Sequence, residues 1–346
     1  MNRKLKNYCP TKNIITVRSS GLLGDCVWEY ASTVALGRLL ALSPYISRST
    51  WKCLRDTFQN LGVETYDETI LSYRCQVIHG GDITQCKSPS EALYAKNTSS
   101  WNTLCNTLER GEPLGLGMSS HSTEELKEML DAGQLDDVLI LSQHTAHTEA
   151  IIRVGVPAFR KLFDFRSDVL HLATLTINGV MAAARIEDDV LFFGVHARRK
   201  DINTELERLY GSNFSLANAD YYKRAMEKIR SLRSHHKVVF LVVSDDRQWC
   251  MNELVNETNG VFWGGMEESP FHSEWEKREA NRGEYHDLAL LASMDGNIIS
   301  YGLYGLTGAI LAGGHTIVHN PLPDDFKMET TGVTMAKSLE KWEFMN

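Results

Sequence analysis

A large α/β protein built on doubly wound parallel sheets is what this sequence predicts, and three observations predict it. From residue 190 onward, short apolar runs rich in β-branched residues alternate with segments whose apolar residues recur at helical spacing. Residues 14–42 read as strand, glycine-containing loop and helix, which is one half of a βαβ unit. The composition is that of an ordinary globular protein, 43% hydrophobic and 23% charged with no low-complexity tract. A chain of 346 residues suggests two domains.

The elements follow in order. Ile14-Ile-Thr-Val17 reads as the first strand and Arg18-Ser-Ser-Gly-Leu-Leu-Gly24 as the loop behind it. From Asp25 to about Leu42 the spacing of Val27, Tyr30, Ala31, Val34 and Leu39 is helical, with Asp25 as the expected N-cap. The loop is neither G-x-G-x-x-G nor a Walker sequence, so it specifies neither a dinucleotide nor ATP, although its backbone N–H groups could face an anion. Residues 43–135 are rich in Ser, Thr and Asn, with loops at Ser88-Pro-Ser90 and Gly111-Glu-Pro113. Val138-Leu-Ile-Leu141 is a strand, and 148–184 is mostly helical.

The second half alternates more cleanly. Val190-Leu-Phe-Phe193 is a buried strand, and Tyr222, Met226, Ile229 and Leu232 form one face of a helix over 220–232. Val238-Val-Phe-Leu-Val-Val243 is a strand buried on both faces, followed by a helix carrying Trp249, Cys250, Asn252 and Leu254. Val261-Phe-Trp263 is a short strand, 284–294 a helix, and Asn297-Ile-Ile-Ser300 a strand. Tyr301-Gly-Leu-Tyr-Gly305 is a glycine loop opening a helix over 306–312, and Thr316-Ile-Val-His319 is the last strand read. This alternation places a nucleotide-binding α/β domain at 175–346 and a separate α/β domain at 1–174.

Several classes are disfavoured. With a net charge of −8 and no long basic run, nucleic acid is not an expected partner. No apolar stretch approaches the roughly 18 to 20 residues that span a bilayer. Met1–Asn7 is basic but has no apolar segment behind it, so a complete signal peptide is not expected. The seven cysteines (Cys9, Cys26, Cys53, Cys75, Cys86, Cys105 and Cys250) contain no C-x-x-C pair, and their odd number leaves at least one unpaired within the chain. His144 and His147 have metal-like spacing without a third ligand nearby, so no metal site is expected there. His235-His236 reads as a solvated helix end. Sequons stand at Asn97, Asn213 and Asn256 and matter only in a secretory chain.

The chemistry concentrates at three strand ends. Gly194-Val-His-Ala-Arg-Arg-Lys-Asp201 follows the strand at 190–193, placing His196, Arg198, Arg199 and Asp201 where ligands bind in open α/β sheets. Paired arginines suit a pyrophosphate, since a guanidinium is permanently charged and grips two oxygens at once. Asp245 and Asp246 end the next strand; either could cap the following helix or accept hydrogen bonds from a guanine edge. Ser300 and Gly302 end the third, and the glycine loop could cradle phosphates.

These segments resemble a known family. His196-Ala-Arg-Arg-Lys-Asp201 is similar to the H-x-R-R-x-D motif of the α1,2-, α1,6- and protein O-fucosyltransferases, and Phe193-Gly-Val-His-Ala-Arg-Arg resembles the α1,2-fucosyltransferases most. Phe240 to Cys250 resembles the second family motif, and Asp287-Leu-Ala-Leu-Leu291 through Gly302, Gly305 and Leu311-Ala-Gly-Gly314 the third. Gly21-Leu-Leu-Gly-Asp25 with Glu29-Tyr30-Ala31 resembles the family's N-terminal loop and helix. The resemblance implies a GT-B-type fold, two Rossmann-like domains with parallel sheets facing a cleft. Residues 1–174 would form the acceptor side and 175–346 the GDP-fucose side. It implies inverting, metal-independent transfer of L-fucose from GDP-β-L-fucose to the 2-hydroxyl of a terminal β-galactoside on a glycan. No cofactor is implied.

In that reading Arg198 binds the β-phosphate and Asp201 orients it. His196 contacts the nucleoside, with Arg199 beside it, and Asp245 or Asp246 the guanine. Ser300, Gly302, Gly305 and Gly24 face the phosphates. The general base is open among Asp25, Glu29, Asp201 and Glu205. Animal members of the family are Golgi proteins whose lumenal domain follows an N-terminal anchor; in that reading the anchor would be absent from this chain and the sequons would carry glycans. Asp25 stands where the family has Asn, Trp28 where a small residue is usual, and Lys200 where Gly is usual. These departures keep open a non-catalytic member that binds a GDP-sugar or a glycan, while a different sugar nucleotide would keep the fold and lose the guanine contact.

Overall fold

The computed structural model describes residues 14–17, 21–66, 122–132, 138–141, 145–185, 189–266, 274–323, 326 and 329–346. The loops at 88–90 and 111–113, Arg18 to Ser20, Asn97, His144, Cys9, Cys75, Cys86 and Cys105 lie outside the described residues. The chain divides into two compact units, one of Met1–Arg55 with Asn60–Gly155, the other of Asp56–Gln59 with Val156–Asn346.

The first unit is built on a parallel sheet of β1 (Ile14–Val17), β2 (Ser43–Ser47), β4 (Glu64–Tyr66) and β5 (Val138–Leu141), in the order β4-β2-β1-β5. Helix α1 (Leu23–Leu40) follows β1 and packs on α2 (Arg48–Leu54), α3 (Thr123–Asp131) and α4 (Thr148–Val154). Covered on nearly every face, α1 buries Trp28, Tyr30 and Leu36 almost completely, which is why its apolar residues do not form a single stripe. Asp25 is not the N-cap that the sequence suggests. Leu22 is, and the Asp25 carboxylate, one turn into α1, accepts the Leu22 N–H at 3.0 Å. A carboxylate at N3 satisfies one of the orphan amides of a helix start just as the back half of a capping box does.

A disulfide joins Cys26 on α1 to Cys53 on α2, with Cα atoms 6.5 Å apart, while Cys250 is free and buried.

In the second unit β3 (Phe58–Gln59) pairs antiparallel with β6 (Asp164–Phe165), and Phe58 packs its ring 5.0 Å from Phe163 and 4.8 Å from Phe165. The stretch read as mostly helical divides into α4, α5 (Val156–Arg160) and α6 (Ser167–Ala183), with β6 between the last two.

The core of the unit is a six-stranded parallel sheet of β7 (Val190–Ala197), β8 (Lys237–Ser244), β9 (Val261–Trp263), β10 (Gly296–Ile299), β11 (His315–His319) and β12 (Trp342–Met345). Its helices are α7 (Ile202–Tyr210), α8 (Ala219–Leu232), α9 (Arg247–Glu253), α10 (Glu274–Ala292), α11 (Gly302–Ala312) and α12 (Thr331–Ser338). The order β12-β11-β10-β7-β8-β9 reverses direction between β7 and β10. That is the switch point of a doubly wound sheet, where a crevice opens at the carboxyl ends of the strands.

Three boundaries move. Strand β7 continues four residues past Phe193, so His196 lies in the strand and only from Arg198 does the chain leave it. It is paired on both sides there, with β8 as far as Ala197 and with β10 as far as His196, and these ladders carry it through Gly194. Helix α10 starts at Glu274 rather than 284, and α11 starts at Gly302 rather than 306. Elements β2, β4, β12, α7 and α12 are not among those read from the sequence, although Ile202, Leu206 and Tyr210 of α7 are buried at helical spacing.

Replacing Cys26 or Cys53 by Ala is expected to destabilise the protein by about 3 kcal/mol, since the bridge closes a loop of intermediate length in the unfolded chain. Urea unfolding of oxidised protein measures this, and a variant as stable as the parent would remove the bridge from the stability account.

Candidate functional site

The octapeptide at the end of β7 is held from both flanks. On one side Ser300, just past β10, donates its hydroxyl to the His196 carbonyl at 3.3 Å and accepts the Arg198 N–H at 3.2 Å. On the other, Ser244 at the end of β8 donates to the Ala197 carbonyl. Beyond it, both oxygens of Asp245 accept backbone N–H groups, from Arg199 at 2.8 Å and from Lys200 at 3.1 Å. Side chains of the two neighbouring strands thus continue the hydrogen bonding where the ladders stop, satisfying backbone groups that would otherwise be orphaned.

This frame presents Arg198. Its Nε and Nη2 donate to the two oxygens of Asp201 at 2.9 and 2.6 Å, a bidentate pair. The pairing holds the Asp201 carboxyl below its ordinary range. Burial works against the Arg198 charge, but Asp201 outweighs it and the guanidinium stays protonated. The third nitrogen, Nη1, makes no hydrogen bond among the described residues and lies over Gly302, the first residue of α11. A Cβ there would approach it to 2.7 Å, and Gly302 has φ +84°, so only glycine fits. The α11 N-cap, Tyr301, offers no side-chain cap to the first-turn amides. A guanidinium nitrogen and an uncapped helix start therefore meet at the switch point, an arrangement that binds anions.

His196 is buried beneath them, 7% exposed, with its ring 5.4 Å from that of Tyr304. A Cβ at Gly305 would come within 2.5 Å of His196 Nδ1, so Gly305 lets α11 lie directly on the imidazole. Among the described residues that Nδ1 has no hydrogen-bond partner. Burial, helped by the charge of Arg198, pushes the His196 pKa down to about 3.

Arg199 and Asp246 tie down neighbouring segments. The Arg199 guanidinium stacks 3.9 Å from the Trp249 ring centre and donates to the Ala217 carbonyl at 3.2 Å. Asp246 caps α9 by accepting the Trp249 N–H at 3.1 Å. Glu205 pairs with Arg208 at 2.7 Å. Ten of the residues singled out in the sequence (His196, Arg198, Arg199, Asp201, Glu205, Asp245, Asp246, Ser300, Gly302 and Gly305) thus gather at the carboxyl ends of β7, β8 and β10 and on the helices leaving them.

Gly24, Asp25 and Glu29 belong to the first unit, all on α1. Gly24 is buried in its first turn, and Glu29 is fully buried. One turn beyond Glu29, the Ser32 hydroxyl accepts the His147 N–H at 2.9 Å, and His147 Nδ1 accepts the Ala150 N–H at 3.2 Å. His147 is therefore an N-cap of α4. Asn213 and Asn256 are exposed, as are His235 and His236. Among the described residues no group of three or more His, Cys, Asp or Glu is placed to hold a metal, and no helix is long and apolar enough to cross a membrane.

The sequence reading passed over a buried polar group on α10. His286 is 1% exposed and lies between the Thr176 hydroxyl and Asp287, each at 2.8 Å. Asp287 also accepts the Met266 N–H at 3.3 Å at the exit of β9, and burial raises its pKa. The visible signal was a His-Asp pair directly before the apolar Leu288, Leu290 and Leu291.

Residues 156–346 match the description of glycosyl transferase family 11. The galactoside 2-alpha-L-fucosyltransferase SEC1 of Bos taurus is 23% identical over 90% of this chain and 67% of its own length. The galactoside alpha-(1,2)-fucosyltransferase 2 of Mus musculus is 26% identical over 90% of this chain and 73% of its own. Among solved structures, a variant of Arabidopsis thaliana FUT1 in complex with GDP superposes with a TM-score of 0.51 at 14% identity, covering 91% of this chain and 71% of that one. The fold is α/β of the GT-B type.

The two buried imidazoles make a test of the site. In the unfolded chain His196 and His319 protonate near the ordinary imidazole value of 6.5, while burial holds them to about 3 and about 4 in the fold. The unfolded state therefore binds more protons below pH 6.5, so stability is fully present above that pH and is lost as pH falls towards 4. NMR titration of the imidazoles is expected to show both neutral at pH 5; a midpoint near 6.5 for His196 would contradict its burial under α11.

Proposed function

The chain belongs to glycosyl transferase family 11, the family of the α1,2-fucosyltransferases, and on that premise we propose that it transfers L-fucose from GDP-β-L-fucose to the 2-hydroxyl of a terminal β-galactoside, with inversion and without a metal. The observation that carries the proposal is the Arg198–Asp201 pair, with Nη1 of Arg198 directed over the uncapped start of α11 at the switch point of the sheet. A diphosphate placed there meets a permanent positive charge and several backbone N–H donors in one small space.

The chemistry follows from that placement. When the bond from the fucose anomeric carbon to the diphosphate breaks, negative charge grows on the β-phosphate. Arg198 and the first-turn amides of α11 stabilise it most in the transition state, which is what accelerates the step. Asp201 holds Arg198 in place beforehand, so little reorganisation is needed. His196, neutral throughout the physiological range, is the residue we assign to the nucleoside. Asp245 or Asp246 accepts hydrogen bonds from the guanine. Gly302 at the start of α11 gives the diphosphate close approach.

The acceptor hydroxyl must lose a proton as it attacks the face opposite the leaving group. Asp201 and Glu205 are each paired with an arginine, Arg198 and Arg208. We assign Asp25 and Glu29 on α1 to the acceptor side. Residence in the Golgi lumen behind a membrane anchor, with glycans on Asn97, Asn213 and Asn256, completes the proposal.

Calorimetric titration with GDP, GDP-fucose, UDP and ADP in the presence of EDTA tests the donor site. Selective, metal-free binding of GDP and GDP-fucose is expected, and folded protein that ignores GDP would end the transferase reading. Arg198→Ala is expected to lower transfer to a lactose or N-acetyllactosamine acceptor by about 10³-fold or more, as loss of a principal transition-state donor does. Its circular dichroism and unfolding should remain those of a folded protein. Near-normal turnover by this variant would remove the role given to Arg198.

A further inference from the structure

The bonding of Asp245 separates it from the guanine contact proposed for the pair. We infer that Asp245 is a positioning residue: its carboxylate occupies the anion-binding nest formed by the consecutive N–H groups of Arg199 and Lys200 and so latches the loop that carries Arg198. The inference rests on the reading of Arg198 as the diphosphate-binding arginine and deepens it.

The geometry supports this in three ways. Both oxygens of Asp245 are engaged, at 2.8 and 3.1 Å, by backbone donors of one loop, although the residue itself is exposed. Two successive amides converging on one anion form a nest, the same device that binds phosphates elsewhere, here filled from within the chain. These amides are therefore not available to the donor, whose phosphates are left to Arg198 and the start of α11. Second, Asp245 is one of three side chains that fix the end of β7, with Ser244 on the Ala197 carbonyl and Ser300 on the Arg198 N–H. Arg198 thus leaves a strand whose last backbone groups are held by β8 on one side and β10 on the other. Third, Asp246 has a different task. One of its oxygens caps α9, and the other makes no hydrogen bond among the described residues. Of the two carboxylates, Asp246 is the one with an oxygen open to a base.

The latch explains why a carboxylate is needed where a neutral residue could cap a turn. Each bond is charge-assisted, and the negative charge also favours the neighbouring Arg198 cation. Asparagine would keep one acceptor oxygen and set an N–H₂ against the second amide. Alanine would leave both amides to water and free the loop.

The test uses the full chain with Asp245→Asn and Asp245→Ala, each also in an Arg198→Ala background. Transfer kinetics and affinities for GDP and for IDP are measured, IDP lacking the exocyclic amine of guanine. Asp245→Ala is expected to lower kcat/KM by roughly 10- to 100-fold, the range for losing hydrogen bonds to a charged group, with Asp245→Asn in between. The GDP-to-IDP affinity ratio is expected to stay that of the parent, because the base contact is untouched. In the Arg198→Ala background the further loss is expected to shrink to about twofold or less, since the residue acts through that arginine.

A changed GDP-to-IDP ratio in Asp245→Asn would make Asp245 a base reader and overturn the inference. So would a full, additive loss in the Arg198→Ala background, or unchanged kinetics in both single variants. If Arg198→Ala alone leaves transfer and GDP affinity intact, the diphosphate reading itself fails, and the latch, having nothing to position, fails with it. Should Asp245→Ala not fold, the Asn variant carries the same comparisons.

Discussion

The termination of β7 is the constraint on which the site depends. A parallel strand in the middle of a sheet must give up its ladder bonds on both sides where it ends, and its backbone groups must then find other partners. Here Ser244 and Asp245 supply them from β8 and Ser300 from the end of β10. Because β7 and β10 are neighbours only by virtue of the reversal in strand order, the same topology opens the crevice and provides the clamps around it. Arg198 is the first residue beyond this frame, and its orientation is completed by Asp201 three residues on.

Helix α11 is the second half of the arrangement. It presses on His196 through Gly305 and passes under Arg198 through Gly302, so both glycines are dictated by neighbours on β7 rather than by the turn alone. Close approach does two things at once. It brings the positive end of the helix to the guanidinium, and it strips water from the imidazole, keeping His196 neutral. A side chain at either glycine would lift the helix and undo both.

The first unit shows a different economy. Its helix α1 is almost wholly enclosed, tied by a disulfide to α2 and by Ser32 to the segment before α4. The carboxylates that we assign to the acceptor side, Asp25 and Glu29, lie on this rigid element rather than on a loop. A departure such as Asp25 in place of the family's Asn is accommodated locally, because its carboxylate takes over the amide of Leu22 at the helix start.

The fold class was legible in the sequence because buried parallel strands are written as β-branched runs: Val238–Val243 and Ile14–Val17 differ from the observed strands by a residue at most at either end. The gathering of the site was legible for a similar reason, since polar residues directly after such runs fall on one edge of a parallel sheet. What each polar residue does was not legible. Asp245 and Asp246 are adjacent and chemically identical, yet one latches a loop contributed by β7 and the other caps its own helix. Arg198 and Arg199 are adjacent too, yet one pairs with Asp201 over α11 and the other stacks on Trp249. In each pair one member is claimed by a partner 45 or more residues away, Asp245 by Lys200 and Arg199 by Trp249, whose approach depends on strand order. Local pattern carries the period of an element and the chemistry at its end. Only the packing of non-adjacent strands and helices decides which donor faces which acceptor, and hence which residue is left free for a ligand.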